Sequence, residues 1–189
     1  MSFWNTLKRP SVKYSLIGLL SFGFVGGIIF WGGFNTAMEA TNTLEFCIGC
    51  HEMRDNVYVE YKKTIHYQNR TGVRAVCSDC HVPKDWTHKI MRKIQASKEV
   101  WGKLTGVVDT REKFEEHRLV MAEREWKRMK ASDSRECRNC HTWDAMNPEV
   151  QKQRGRKQHE LAQKNSETCI DCHKGIAHQK PQGMKEDDE

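Results

Sequence analysis

Four pentads of the form Cys-x-x-Cys-His constrain this chain more than any other feature: Cys47-Ile-Gly-Cys50-His51, Cys77-Ser-Asp-Cys80-His81, Cys137-Arg-Asn-Cys140-His141 and Cys169-Ile-Asp-Cys172-His173. Together they use all eight cysteines. In such a pentad the two thiols form thioethers to haem vinyl groups, and the adjacent histidine reaches the iron. Zinc would need Cys-x-x-Cys pairs that combine in twos, with no histidine required next door. A dithiol redox site would occur once, within a βαβ pattern that this sequence lacks. The pentads therefore imply four covalently bound haem c groups and a protein that moves electrons.

The N-terminal region carries a second signal. No charged residue occurs from Tyr14 to Met38, a run of 25 positions. As a helix it would be about 37 Å long at ~1.5 Å per residue, enough for a tilted bilayer crossing. Lys8, Arg9 and Lys13 precede the run, and Glu39 and Glu45 follow it. The positive-inside rule then makes 1–13 cytoplasmic, 14–38 the transmembrane helix, 39–182 a periplasmic haem domain and 183–189 a frayed tail, in a bacterial inner membrane. A cleaved signal peptide is the competing reading. It is disfavoured by a run longer than the ~7–15 residues of a typical apolar signal region and by the lack of an Ala-x-Ala site.

The formal charge of +6 does not point to nucleic acid. Ionised propionates would bring the holoprotein to about +2 oxidised and about −2 reduced. No basic tract with interleaved aromatics offers to read bases. The lipid bilayer is the partner that the sequence indicates.

The first cysteines of the pentads fall at 47, 77, 137 and 169, so the first and last intervals nearly match. Two di-haem units joined by an insert follow from that spacing, with His66 and His159 each lying between two pentads. The fold class expected is mainly α and haem-dominated. Helices are predicted from Trp86 to Trp101, with Ile90 and Ile94 on one face, and from Arg111 to Lys130. The second has a Leu119, Ala122, Trp126 and Met129 stripe and an Asp109/Glu112 capping box. Asn147-Pro148 reads as the start of a third, running to about Gln163. So few apolar residues make a thin core, and the porphyrins supply the missing mass.

Nine histidines are present, and four belong to the pentads: His51, His81, His141 and His173. A histidine on the far side of the iron closes the position a substrate would use and makes a low-spin electron-transfer site. His66, His159 and His178 are the candidates, while His88 and His117 lie on highly charged helical segments and read as surface residues. That leaves one haem short. Met53, two residues after His51, has a thioether that can ligate iron, so the unmatched first haem has an open or unusual ligand set.

These residues resemble the NapC/NirT family of membrane-anchored tetrahaem quinol dehydrogenases, most closely its nitrate-reduction branch. The resemblance rests on Phe-Val-Gly-Gly-Ile-Ile-Phe-Trp-Gly-Gly-Phe-Asn (24–35), Glu-Phe-Cys-Ile-Gly-Cys-His-Glu-Met-Arg (45–54), Glu-Cys-Arg-Asn-Cys-His (136–141) and Thr-Cys-Ile-Asp-Cys-His-Lys-Gly-Ile-Ala-His (168–178). It implies transfer of electrons from membrane quinol, menaquinol or ubiquinol, to a periplasmic reductase such as the Nap-type nitrate reductase. The activity implied is quinol oxidation, not terminal reduction; the alternatives are a soluble periplasmic tetrahaem carrier or a partner of a nitrite or other reductase. In one branch of the family a methionine matching Met53 ligates the first haem, a lysine matching Lys93 meets the quinol, and an aspartate stands at the position of Glu99. By the same resemblance His178 serves the second haem, and His66 and His159 between them serve the third and fourth. Many relatives place histidine directly after His-Val-Pro, where this chain has Lys84, so His88 inherits no ligand role.

Overall fold

The computed structural model describes residues 12–184. Lys8, Arg9 and the segment 185–189 lie outside the described residues. Among those described, every regular element is helical, and the chain divides into two units, Met1–Thr41 and Asn42–Glu189.

The first unit is the helix α1, Leu16–Ala40. Its apolar side chains face outward along the whole length, with a mean hydropathy of 1.9 and no buried residue. Ser15 caps it by accepting from the Gly18 amide at 3.2 Å. The two polar side chains near the other end bond back into the helix, Asn35 to the Trp31 carbonyl at 2.8 Å and Thr36 to that of Gly32 at 2.9 Å. A helix in hydrocarbon must satisfy its polar groups internally, and this one does. It starts two residues later than the uncharged run and ends two residues beyond it.

The second unit strings short helices around the pentads. Helix α2 is Leu44–Ile48; a π-helical turn, Met53–Val57, follows the first pentad and leads into α3, Tyr58–Tyr61. Helix α4, Cys77–His81, is the second pentad itself. Two long helices come next, α5 Trp86–Leu104 and α6 Arg111–Ala131. Helix α7, Arg135–Arg138, opens the third pentad, α8 is Gln153–Asn165 and α9, Cys169–Cys172, is the fourth pentad.

Three local expectations need correction. Helix α6 is capped by Thr110, whose hydroxyl accepts from the Lys113 amide at 3.3 Å; Asp109 instead pairs with the Lys113 ammonium at 2.7 Å. Its buried positions are Phe114, Arg118 and Met129, so the inner stripe is partly charged, while Leu119, Ala122 and Trp126 are half-buried. Asn147 does cap a turn, but only the 3-10 turn Pro148–Val150; the chain then extends through Gln151 and Lys152 before α8 begins.

The buried apolar side chains among the described residues are Tyr61, Phe114, Met129 and Ile170. Four such residues make too small a core for a unit of this length, which is why the porphyrins must complete it. Buried polar groups carry much of the remaining packing. Arg118 bonds both oxygens of Glu60 at 2.7 and 2.6 Å and the Gln179 carbonyl at 2.7 Å, and Glu60 accepts from the Gln179 amide at 2.8 Å. Asp133 and Ser134, at φ +53° and +49°, turn the chain from α6 into α7. Non-glycine residues hold that left-handed conformation at a cost of roughly 1–2 kcal/mol each. Ser134 offsets it from a fully buried position, its hydroxyl accepting from the Ile170 amide at 3.1 Å.

The two pentad pairs share construction. In α4 and α9 the aspartate before the second cysteine folds back on the residue before the first. Asp79 accepts from the Val76 amide at 2.8 Å and Asp171 from the Thr168 amide at 2.9 Å. In each pair the residue after that first cysteine is also bonded to the lead-in of the preceding pentad: the Ser78 hydroxyl donates to the Asn42 carbonyl at 2.6 Å, and the Ile170 amide donates to the Ser134 hydroxyl.

Candidate haem-ligand sites

Three imidazole pairs organise the second unit. His66 faces His141 with ring centroids 6.2 Å apart, His81 faces His178 at 6.2 Å, and His159 faces His173 at 6.0 Å. Each joins one pentad histidine to one histidine from elsewhere. Two imidazoles bound through nitrogen to opposite sides of one haem iron, each bond about 2 Å long, put their ring centres about 6 Å apart. The residues therefore fit haem iron. Haem asks the protein for two iron ligands, not for the three or four of a zinc cage, and among the described residues no three metal-ligating side chains converge.

The chain holds each partner histidine by a different device. Tyr61, buried, donates to the carbonyls of both His66 and Ala75 and so closes the loop between them. Tyr67 packs edge-on against Tyr61, and Arg74 lies 4.0 Å over the Tyr67 ring. His66 Nδ1 is buried without a hydrogen-bond partner, which leaves this ring nothing else to serve. His178 follows the turn at Gly175, φ +78°, where an added Cβ would meet Lys180 Cγ at 2.8 Å. The Arg118–Glu60 pair then clamps the backbone at Gln179. Burial pushes His178 down to about 4 and lowers His66 and His173 as well. Rings kept neutral in this way keep the lone pair that iron requires.

Nδ1 contacts select the ligating nitrogen. His81 Nδ1 lies 2.8 Å from Glu125 Oε1, and a carboxylate only accepts, so Nδ1 carries the proton and Nε2 is left for metal. Burial works against the charge on Glu125, yet bonds from His81 and Arg128 outweigh it and hold its carboxyl well below the usual range. Gln151 Oε1 orders His159 in the same way at 2.8 Å, and Trp143 packs edge-on against that ring. Neither Glu125 nor Gln151 was legible as a site residue. Glu125 and Arg128 look like an ordinary helical pair three residues apart, and Gln151 stands eight residues from the ring it orients.

The first pentad differs. His51 Nε2 is 3.3 Å from Glu52 Oε1, its side chain is half exposed, and among the described residues no imidazole stands opposite. Glu52, 5% exposed, is gripped by Lys103 through both oxygens at 3.0 and 3.2 Å. Met53 opens the π-turn and is 39% exposed. Such turns are frequent at functional sites. A cleft of about 250 Å³ opens beside this pentad, lined by His51, Glu52, Asp55, Asn56, Asp109 and Arg111 among others.

Lys93 and Glu99 stand six residues apart on α5. Lys93 is half-buried and close enough to Cys47 for its charge to act on that thiol. Glu99 is exposed and pairs with Arg92 at 2.9 Å, whose Nε also bonds the His81 carbonyl at 3.2 Å. His88 bonds Asp85 at 2.5 Å and His117 the Lys113 carbonyl at 2.9 Å, both on the surface.

No disulfide joins any two of the eight cysteines among the described residues. Cys47 of the first pentad neighbours Cys77 of the second, Cys80 neighbours Cys137 of the third, and Cys137 neighbours Cys169 of the fourth.

A helical domain hung on haem-attachment pentads, with imidazole pairs set for iron, defines a c-type cytochrome. The chain belongs to the NapC/NirT cytochrome c family, whose N-terminal-region model matches residues 9–183. It is 68% identical over 183 residues to NirT of Stutzerimonas stutzeri, described as a denitrification system component, covering 97% of this chain and 91% of that one. It is 57% identical to the cytochrome c-type protein NapC of Escherichia coli (strain K12), covering 94% and 88%. To TorC of the same strain it is 45% identical, covering 94% of this chain and 46% of that protein. No solved structure matches the chain. Family membership makes it a haem-bearing electron-transport protein.

Proposed function

We propose that the chain is a single-pass membrane cytochrome that oxidises quinol and passes electrons through four haem c groups to a periplasmic reductase. One observation carries this reading: among the described residues three pentads have an imidazole opposite, and the pentad that follows the apolar helix has none. Haems held between two imidazoles would relay electrons without binding substrate, and the pentad without an opposing imidazole is where a donor would dock. When bound, the haems supply one-electron acceptors. In this reading His81 and His178 would hold the second haem, His66 and His141 the third, and His159 and His173 the fourth, which the ring separations support. His51 or Met53 serves the first.

These ligand pairs interleave the two di-haem units, since His66 precedes the second pentad yet serves the third. The cysteine contacts support the order first, second, third, fourth. Quinol oxidation releases two electrons and two protons, so electrons leave singly along that order while nearby groups hold or orient protons. Lys93, beside Cys47, is suited to orient a quinol oxygen, and Glu99 remains the acidic partner implied by the family. The N-terminus is cytoplasmic and the haem domain periplasmic.

The acceptor proposed is the Nap-type nitrate reductase, in keeping with the NapC likeness; the NirT likeness favours a denitrification reductase as the second reading. The test places the holoprotein in nanodiscs, reduces it with menaquinol and ubiquinol analogues, and adds a purified nitrate or nitrite reductase. Haem reduction by quinol and reoxidation by the nitrate enzyme are expected. Full reduction by dithionite without any by quinol would overturn the quinol reading.

A further inference from the structure

Helix α5 is docked inside out. Amphipathic helices of a water-soluble domain bury the apolar stripe and expose the charged one. Here the polar edge faces the domain: Arg92 bonds the His81 carbonyl and Lys103 grips buried Glu52. At ~100° per residue, Lys103 is about 180° around the helix from Ile94. The apolar edge is left outward, with Met91 52%, Ile94 61%, Trp101 68% and Leu104 74% exposed. From Met91 to Leu104 the stripe runs about 20 Å at ~1.5 Å per residue.

We propose that this edge of α5 lies in the surface of the bilayer, with Ile94, Trp101 and Leu104 at the level where headgroups meet acyl chains. The occupant follows from the chain itself. The apolar helix α1 ends at Ala40 and the haem-bearing unit begins at Asn42, so the unit is tethered at the membrane surface. Apolar stripes of this length, flanked by cations and holding an aromatic residue, bind in the interfacial plane. Lys98, also outward-facing, lies on the edge of the stripe and reaches headgroups by extending its stem. This docking deepens the quinol reading, because Lys93 and the first pentad then stand at the depth where a lipid-soluble quinol arrives. It rests on α1 being a membrane anchor.

The experiment uses the full-chain holoprotein in nanodiscs of phosphatidylcholine and phosphatidylglycerol doped with a diazirine-bearing phosphatidylcholine. After illumination, labelled peptides are read by mass spectrometry. Label is expected in two segments, α1 and 91–104. Trp101→Glu combined with Leu104→Glu should cut the label in 91–104 several-fold while label in α1 stays. Label in α1 alone, in the unaltered protein, would overturn the docking of α5 and leave the anchor standing; the stripe would then lie under a porphyrin or against another protein. Absence of label from α1 would instead defeat the anchor, so the two failures are distinct.

Discussion

His81 and Glu125 form a 2.8 Å hydrogen bond that no other histidine of the three imidazole pairs matches among the described residues, since the His159 contact is to a neutral amide. Glu125 is itself locked by Arg128 at 2.7 and 3.0 Å. A carboxylate on Nδ1 raises the basicity of the ligating nitrogen and favours the oxidised iron. Glu125→Gln keeps an acceptor but removes the charge. One haem should become easier to reduce by about tenfold, or about 59 mV for a one-electron couple. Potentiometric titration read by electron paramagnetic resonance checks it; an equal shift in every haem would point to a global effect.

The Arg118–Glu60 pair holds the loop that presents His178. Both side chains are nearly buried, at 9% and 12% exposure. Arg118→Met leaves Glu60 charged and without its cation, a loss of about 3–5 kcal/mol for a buried pair broken on one side. The melting temperature should fall, and one low-spin haem should open to carbon monoxide.

The same pair sets an acid limit. Burial opposes the charge on Glu60, but Arg118 and the Gln179 amide lower its pKa overall. A depressed carboxylate contributes stability that is complete above its unfolded value near ~4.3 and is lost as pH falls through the lower folded value. Acid titration should therefore leave the His178 haem low-spin through pH 5, and Glu60→Gln should remove that part of the stability already at neutral pH.

Each distal histidine should open one haem. His66→Ala, His159→Ala and His178→Ala should each convert one low-spin signal to high spin, and the triple variant should convert three. His88→Ala and His117→Ala should convert none. Gln151→Ala should perturb the signal that His159→Ala removes.

At the donor end, Lys93→Gln and Glu99→Gln should slow reduction by quinol while dithionite still reduces all the attached haems. Met53→Leu should alter the spectrum of the first haem alone if the thioether is its ligand. Stopped-flow reduction by a quinol analogue checks the first two, and near-infrared spectra check the third.

The sequence by itself determined the haem chemistry, the long apolar helix and the family. Cys-x-x-Cys-His is a local covalent requirement, and an uncharged run of 25 residues is read directly from composition. It also located α5 and α6 within a few residues, because helical periodicity is local. What only the tertiary structure decided was which rings face each other. His66 and His141 lie 75 residues apart in sequence, and their pairing depends on the Tyr61 clamp and the turn at Ser134. The outward apolar edge of α5 was hidden for the same reason: periodicity reveals that a helix has two faces, but the contacts of Arg92 and Lys103 decide which face the domain keeps.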